Sequence, residues 1–400
     1  MSQALPHADR AAFPFADAYW LSGGFRPFFF LGAIAMVASI LVWLPVFSGS
    51  LEVPTRFLPV EWHVHTLLFG GVSAIIAGFA LTAVSNWTGR PLVSGGLLFA
   101  LVVLWVIGRV AVSTSALLGP WLAAALDMLF PLALVFVFAR EVIAGGNYRN
   151  LRIVALVAVF GLTNACFHLE SALAGAADHS LRAAVAVVLA MIMLVGGRII
   201  PAFTRNWLMM RGSDRLPAPF SRVDGSAMLM SVIALVSWIA WPEAGATGVL
   251  LVLAGLANSV RVARWRGLAT RSEPLLFVLH AAYATIPAGF LLVGAGVLGV
   301  AAIDPLAMVH VWTAGTVGMM TLAVMTRASR GHSGRGLVAG RLELAIFVLV
   351  FAGALARVLA GFVPQEAMPL FHGAAGCWSL AYLLFAAGYF PMLFLRPRHR

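Results

Sequence analysis

Apolar residues run along this chain in blocks of about 17–25, the length an α-helix needs to cross the hydrocarbon of a bilayer. Short polar stretches rich in arginine, glycine and proline separate them. The blocks predict helices over residues 25–47, 62–86, 95–113, 120–144, 151–174, 181–202, 223–241, 245–260, 274–299, 305–326, 342–362 and 367–395. Proline and glycine inside several of them are tolerated in lipid, where neighbouring helices satisfy the freed backbone groups. The expected fold class is therefore all-α integral membrane, a single bundle of about twelve transmembrane helices. A tail of residues 1–24 precedes the membrane domain 25–395. That domain divides into halves 25–202 and 223–395, joined by the loop 203–222.

Composition makes the bilayer a requirement. Of 400 residues, 62% are hydrophobic and 10% charged, with a mean hydropathy of +0.96. A soluble domain has about 25% charged residues, so this chain lacks the polar surface to stay in water. Residues 1–24 show no basic segment followed by an apolar core, so no cleavable signal peptide is expected.

Charge then gives a direction. All 26 basic residues are arginine. If both termini and the loops after every second helix lie on one side, that side holds 22 arginines. The other holds 4: Arg56, Arg109, Arg182 and Arg357. The positive-inside rule makes the rich side cytoplasmic, so both termini are expected inside and the protein is expected to be multi-pass. The net charge of +11 sits between apolar blocks and not on a compact basic module. No nucleic acid is expected as a partner, and membrane lipid is. The two cysteines, Cys166 and Cys377, lie in apolar runs with no CxxC or CxxCH. That pattern excludes covalently attached c-type haem and a zinc ribbon.

Topology turns the ten histidines into a map. His63 and His65 open the second helix, His168 ends the fifth, and His310 and His372 open the tenth and twelfth. With alternating helix directions, these five fall in the outer third of the membrane, and His280 alone falls in the inner third. Glu61, Asp127 and Glu170 share the outer bias. Ionisable groups in lipid are costly and face a partner inside the bundle. Neutral imidazole is the commonest metal ligand, and bundle sites are built from facing helices. The pattern points to a metal or haem site in the outer half, with a proton path of histidines and carboxylates as the other reading.

His63 and His65 are two apart. At about 100° per residue their side chains diverge by about 160–200°, so a regular helix cannot turn both onto one ion. The pair can serve two centres on opposite faces, or one histidine can be a ligand and the other structural. On the expected inner side, "GGFRPFF", "NWTGRP", "GGRIIPAFTRNW" and "MTRASRGHSGR" carry Arg26, Arg90, Arg198, Arg205 and Arg327. The planar guanidinium fork suits carboxylates and phosphates. These arginines are read either as lipid-phosphate contacts or as a cradle for an anionic cofactor group such as haem propionates. An internal echo joins the second and tenth helices. His65, Gly70 and Gly89-Arg90 recur 245 positions later as His310, Gly315 and Gly334-Arg335.

The stretches "GFRPFFFLG", "EWHVHTLLFGGVSAIIAGFALTAVSNWTGRP", "GGRIIPAFTRNWL" and "HVWTAGTVGMMTLAVMTRASRGHSGR" together resemble the NnrS family, membrane proteins of the bacterial nitric oxide response. Val64, Thr66 and Leu67 depart from the family's usual "WHAHEM", which removes a glutamate beside His65. The resemblance implies a twelve-span haem protein of the inner membrane, with copper also associated; the expected cofactors are haem b, one or two, and copper or non-haem iron. It implies a link to nitric oxide metabolism, denitrification and nitrosative stress. The expected cofactor and metal ligands are His63, His65, His168, His310 and His372. Glu61, Asp127 and Glu170 are the expected proton carriers of a haem-dependent oxidoreductase that reduces NO with electrons from an unknown donor. The competing readings are a proton- or metal-coupled transporter, and a haem protein that senses or sequesters NO without turnover.

Overall fold

The computed structural model describes residues 18–300 and 304–396. Most of the predicted N-terminal tail, and Arg398, His399 and Arg400, lie outside the described residues. Those described form helices and connecting loops with no β-strand. Among the described residues, twelve helices are long and apolar enough to cross a membrane. They are α1 (Phe25–Phe47), α2 (Pro59–Thr88), α3 (Gly95–Ser113), α4 (Pro120–Ala144), α5 (Tyr148–Ala174), α6 (Asp178–Met209), α7 (Arg222–Ala240), α8 (Gly245–Ala263), α9 (Pro274–Val297), α10 (Pro305–His332), α11 (Arg341–Leu359) and α12 (Ala367–Phe394).

The apolar blocks located every one of these twelve helices but not every end. α2 starts at Pro59, where proline has no N–H to leave unpaired, and the Glu61 carboxylate accepts from the Leu58 N–H at 3.2 Å. α6 begins at Asp178 and continues past Pro201 to Met209. The connection between the expected halves thus shortens to 210–221. The eighth block is a full helix of 19 residues.

α2 and α10 are the most enclosed spans, with 83% and 67% of their apolar cores buried. Small residues let neighbours come close to α2, as in membrane helix packing generally. A Cβ on Gly71 would stand 2.7 Å from the Met36 sulfur of α1, and one on Gly78 would stand 2.7 Å from the Phe29 ring.

Both enclosed helices change winding at the same place. In α2 the α-helix ends at His65 and a π-segment runs over Thr66–Val72. In α10 the α-helix ends at His310 and a π-segment runs over Val311–Val317. The two π-segments are thus offset by the same 245 positions as the histidines. Wider i→i+5 turns leave carbonyls without an α-helical donor. In each helix a tryptophan meets one: Trp105 Nε1 donates to Gly70 O at 3.1 Å, and Trp378 Nε1 to Ala314 O at 3.2 Å. α3 and α11, which follow these helices, both have 19 residues. Each carries an arginine near its end, Arg109 and Arg357. The likeness therefore relates α2 and α3 to α10 and α11, an offset of eight helices.

Candidate metal centre

His65, Asp127 and His168 come together from α2, α4 and α5, and all three are buried. One ligand atom of each lies within 4.8 Å of the others. The meeting follows from helix direction. His65 is near the start of α2, Asp127 near the start of α4 and His168 near the end of α5, so alternating helices put them at one level.

Asp127 is the hub. Its Oδ2 accepts from His168 Nε2 at 3.0 Å and from Asn164 Nδ2 at 2.8 Å, and it lies 3.3 Å from His65 Nε2. Its Oδ1 accepts from Arg109 Nη2. His65 Nε2 also donates to Asn164 Oδ1 at 2.9 Å. With Nε2 protonated, each imidazole donates to this polar cluster. With Nε2 bare, each presents a lone pair to a cation in the same space. Two imidazoles and one carboxylate suit non-haem iron, and imidazole also suits copper and zinc.

Glycines make the room. A Cβ on Gly108 would stand 2.7 Å from Asp127 Oδ1, and one on Gly70, inside the first π-segment, 3.1 Å from Arg109 Nη1. Aromatic rings close the site around His65, with Phe167, Phe69 and Phe57 centred 4.7, 5.0 and 5.9 Å from the imidazole. Two cavities flank the cluster. One of about 90 Å³ is lined by His168, Arg56, Ser115 and Ser171. The other, of about 20 Å³, is lined by Arg109 and Asn164 and by apolar side chains including Phe130, Val157 and Phe160.

His63 faces elsewhere. Its ring stacks on Trp43 of α1 at 4.3 Å, and His310 and Arg357 lie within charge–charge range of it. Its Nδ1 is buried without a hydrogen-bond partner. The two imidazoles of "HVH" therefore open onto different neighbours, as their spacing requires. His310 Nδ1 donates to Ala307 O at 3.2 Å. His372 stands apart from the buried group and is exposed, with Nδ1 donating to Met368 O at 2.8 Å.

The other expected carboxylates hold backbone. Glu61 accepts from the Ala177 N–H at 2.6 Å, and Glu170 from the N–H groups of His179 and Ser180 at 3.0 and 2.8 Å. Both thus anchor the start of α6. Four of the five arginines take separate partners. Arg26 donates to Met392 O at 2.8 Å and lies over the Tyr19 ring. Arg90 pairs with Glu141 at 2.7 Å, and Arg205 donates to Pro217 O at 2.8 Å. Arg327 lies over the Phe203 ring, and Arg198 is exposed.

Sequence reasoning missed Arg109 as a site residue, and Asn164 altogether. Each carried a signal. Arg109 is a charge inside an apolar block, which calls for a partner such as Asp127. Asn164 is four residues before His168, on the same helical face.

No curated protein matches the chain. The family model described as NnrS protein matches residues 19–398.

Proposed function

The chain belongs to the NnrS family, and from that premise we propose that it is a metal- and haem-carrying protein of the bacterial inner membrane that binds nitric oxide and reduces it. The observation that carries this reading is the buried His65–Asp127–His168 group. Three ligating side chains from three helices, gathered with Arg109 and Asn164 inside the bundle, are costly to bury unless they serve a site.

The donor set fits a resident transition metal, either copper or non-haem iron, at His65, Asp127 and His168. Haem b is assigned to the other imidazole of the pair, with His63 and His310 as the iron ligands. The unpartnered, buried Nδ1 of His63 is the feature that fits it. When bound, the metal would supply open coordination positions and the haem would supply exchangeable electrons. The chain's own residues do the rest. Asp127 and Arg109 orient the imidazoles, the aromatic rings exclude bulk water, and His168 faces the roomier polar cavity, where protons can enter. The net reaction joins two NO with two electrons and two protons to give N₂O and water, the electrons coming from an unidentified donor. NO is small and lipid-soluble, so an intramembrane site needs no aqueous cleft.

The test is spectroscopic. The protein purified in detergent is expected to contain metal in stoichiometric amount and to show a Soret band that shifts on dithionite reduction and again on adding NO. NO should then be consumed in the presence of a reductant. Absence of both haem and metal sinks the reading. Binding without consumption leaves an NO sink or sensor, and metal movement across vesicles without NO chemistry leaves a transporter.

A further inference from the structure

Arg109 has more donors than partners. Its Nη2 is used by Asp127, while Nε and Nη1 are both buried with no hydrogen-bond partner. Leaving buried guanidinium N–H groups unmatched carries their full desolvation cost. The same side chain lines the apolar cavity of about 20 Å³, together with Asn164, Phe130, Val157 and Phe160. That space suits one water or a ligand of two or three heavy atoms.

The charges favour an acceptor there. The Asp127 carboxylate is shared among Arg109, Asn164, His168 and His65. Its negative charge is drawn toward the metal group, and the guanidinium is left positive toward the cavity. Apolar walls strengthen any charge interaction inside it. The π-segment keeps the space open, because Gly70 leaves room for Arg109 where a Cβ would press on Nη1 at 3.1 Å.

We propose that Arg109 and this cavity form a binding site for one small nitrogen oxide anion, next to the metal group and separate from it. The choice of a nitrogen oxide rests on the function proposed above. The guanidinium provides the hydrogen bonds and charge, and Asn164 is the wall between this ligand and the metal ligands.

Nitrite is the probe. Infrared difference spectra of the full-length protein in detergent, with ¹⁴N- and ¹⁵N-nitrite, should give a saturable isotope-shifted band. Arg109→Lys keeps the charge but loses the fork, and should weaken nitrite at least about tenfold, the loss expected for charge-assisted hydrogen bonds. Val157→Phe fills the cavity from α5 and should abolish the band. If Arg109→Lys does not fold, Val157→Phe decides alone. Wild-type protein without a saturable band overturns the proposal. So does unchanged affinity in Val157→Phe, which would place the anion elsewhere. The titration is repeated after chelation. Retained binding in protein that never held metal removes the metal reading and leaves this one standing, whereas binding lost on chelation overturns this one.

Discussion

His65 and His310 occupy equivalent positions in two helices. Each is the last α-helical residue before a seven-residue π-segment, and 245 positions separate them. π-segments in α-helices are frequent at functional sites, because the widened turn re-aims the side chains on either side of it. The two histidines nevertheless meet different surroundings. His65 meets a carboxylate and a second imidazole, while His310 donates to the Ala307 carbonyl of its own helix.

Divergence of the "HVH" pair separates two losses. His65→Ala and His168→Ala should each remove most of the metal at the buried group, read by elemental analysis of purified protein. His63→Ala should leave that metal in place and lower bound haem, read from the Soret band. Equal metal loss in His63→Ala and His65→Ala would contradict the two-centre arrangement.

Asp127→Ala should be among the most damaging single changes in the chain. It strands the Arg109 charge in the bundle, and breaking a buried pair from one side costs about 3–5 kcal/mol. The measurement is denaturant or thermal unfolding in detergent. Asp127→Ala, Arg109→Met should recover part of the loss, because the stranded charge is gone. A double variant no more stable than Asp127→Ala alone would argue against the pairing.

Gly108→Ala should destabilise through Asp127 and not through helix propensity, since alanine is the better helix former. Its Cβ would stand 2.7 Å from Asp127 Oδ1, and overpacking of this kind costs about 1–3 kcal/mol. Gly225→Ala on α7 is the control, because a Cβ there meets nothing within 4 Å. That variant should be neutral or slightly stabilised in the same unfolding assay.

Glu61→Gln and Glu170→Gln test the proton-carrier role against the anchoring geometry. As anchors of the start of α6, both should lose about 1–3 kcal/mol, typical of a charged hydrogen bond, and keep their metal and haem. NO turnover per folded molecule should stay near wild type. A large drop in turnover with unchanged stability would establish the role of proton carrier.

Arginine sidedness predicts that both termini face the cytoplasm. A reporter active only in the cytoplasm, fused after Arg400, should work, and one active only outside should fail. Moving the fusion to the α11–α12 connection should reverse both results.

The sequence marked twelve spans because lipid demands about twenty apolar residues whatever their packing. It marked the split of His63 from His65 because helical rotation is fixed before any tertiary contact forms. The echo between His65-Gly70 and His310-Gly315 is the visible trace of the two π-segments. The change in winding itself was not legible, because it comes from neighbours such as Trp105 and Trp378 that accommodate the freed carbonyls. The joining of His65 to His168 was equally hidden. Five histidines shared a depth in the sequence map, and depth does not say which helices touch. Glu61 and Glu170 looked like membrane carboxylates awaiting protons, but the backbone N–H groups at the start of α6 claim them.

The π-segment of α2 also sets a rule for heritable change. Residues beyond Thr66–Val72 are rotated relative to those before it, so His65 can meet Asp127 while Arg90, just past the end of the same helix, meets Glu141. Deleting one residue elsewhere between them, with the π winding kept, would turn one end against the other by about 100°. One of those two meetings would then be lost. Insertions and deletions can drift through the loops of such a chain, but the distance from His65 to Arg90 is a fixed count, repeated from His310 to Arg335.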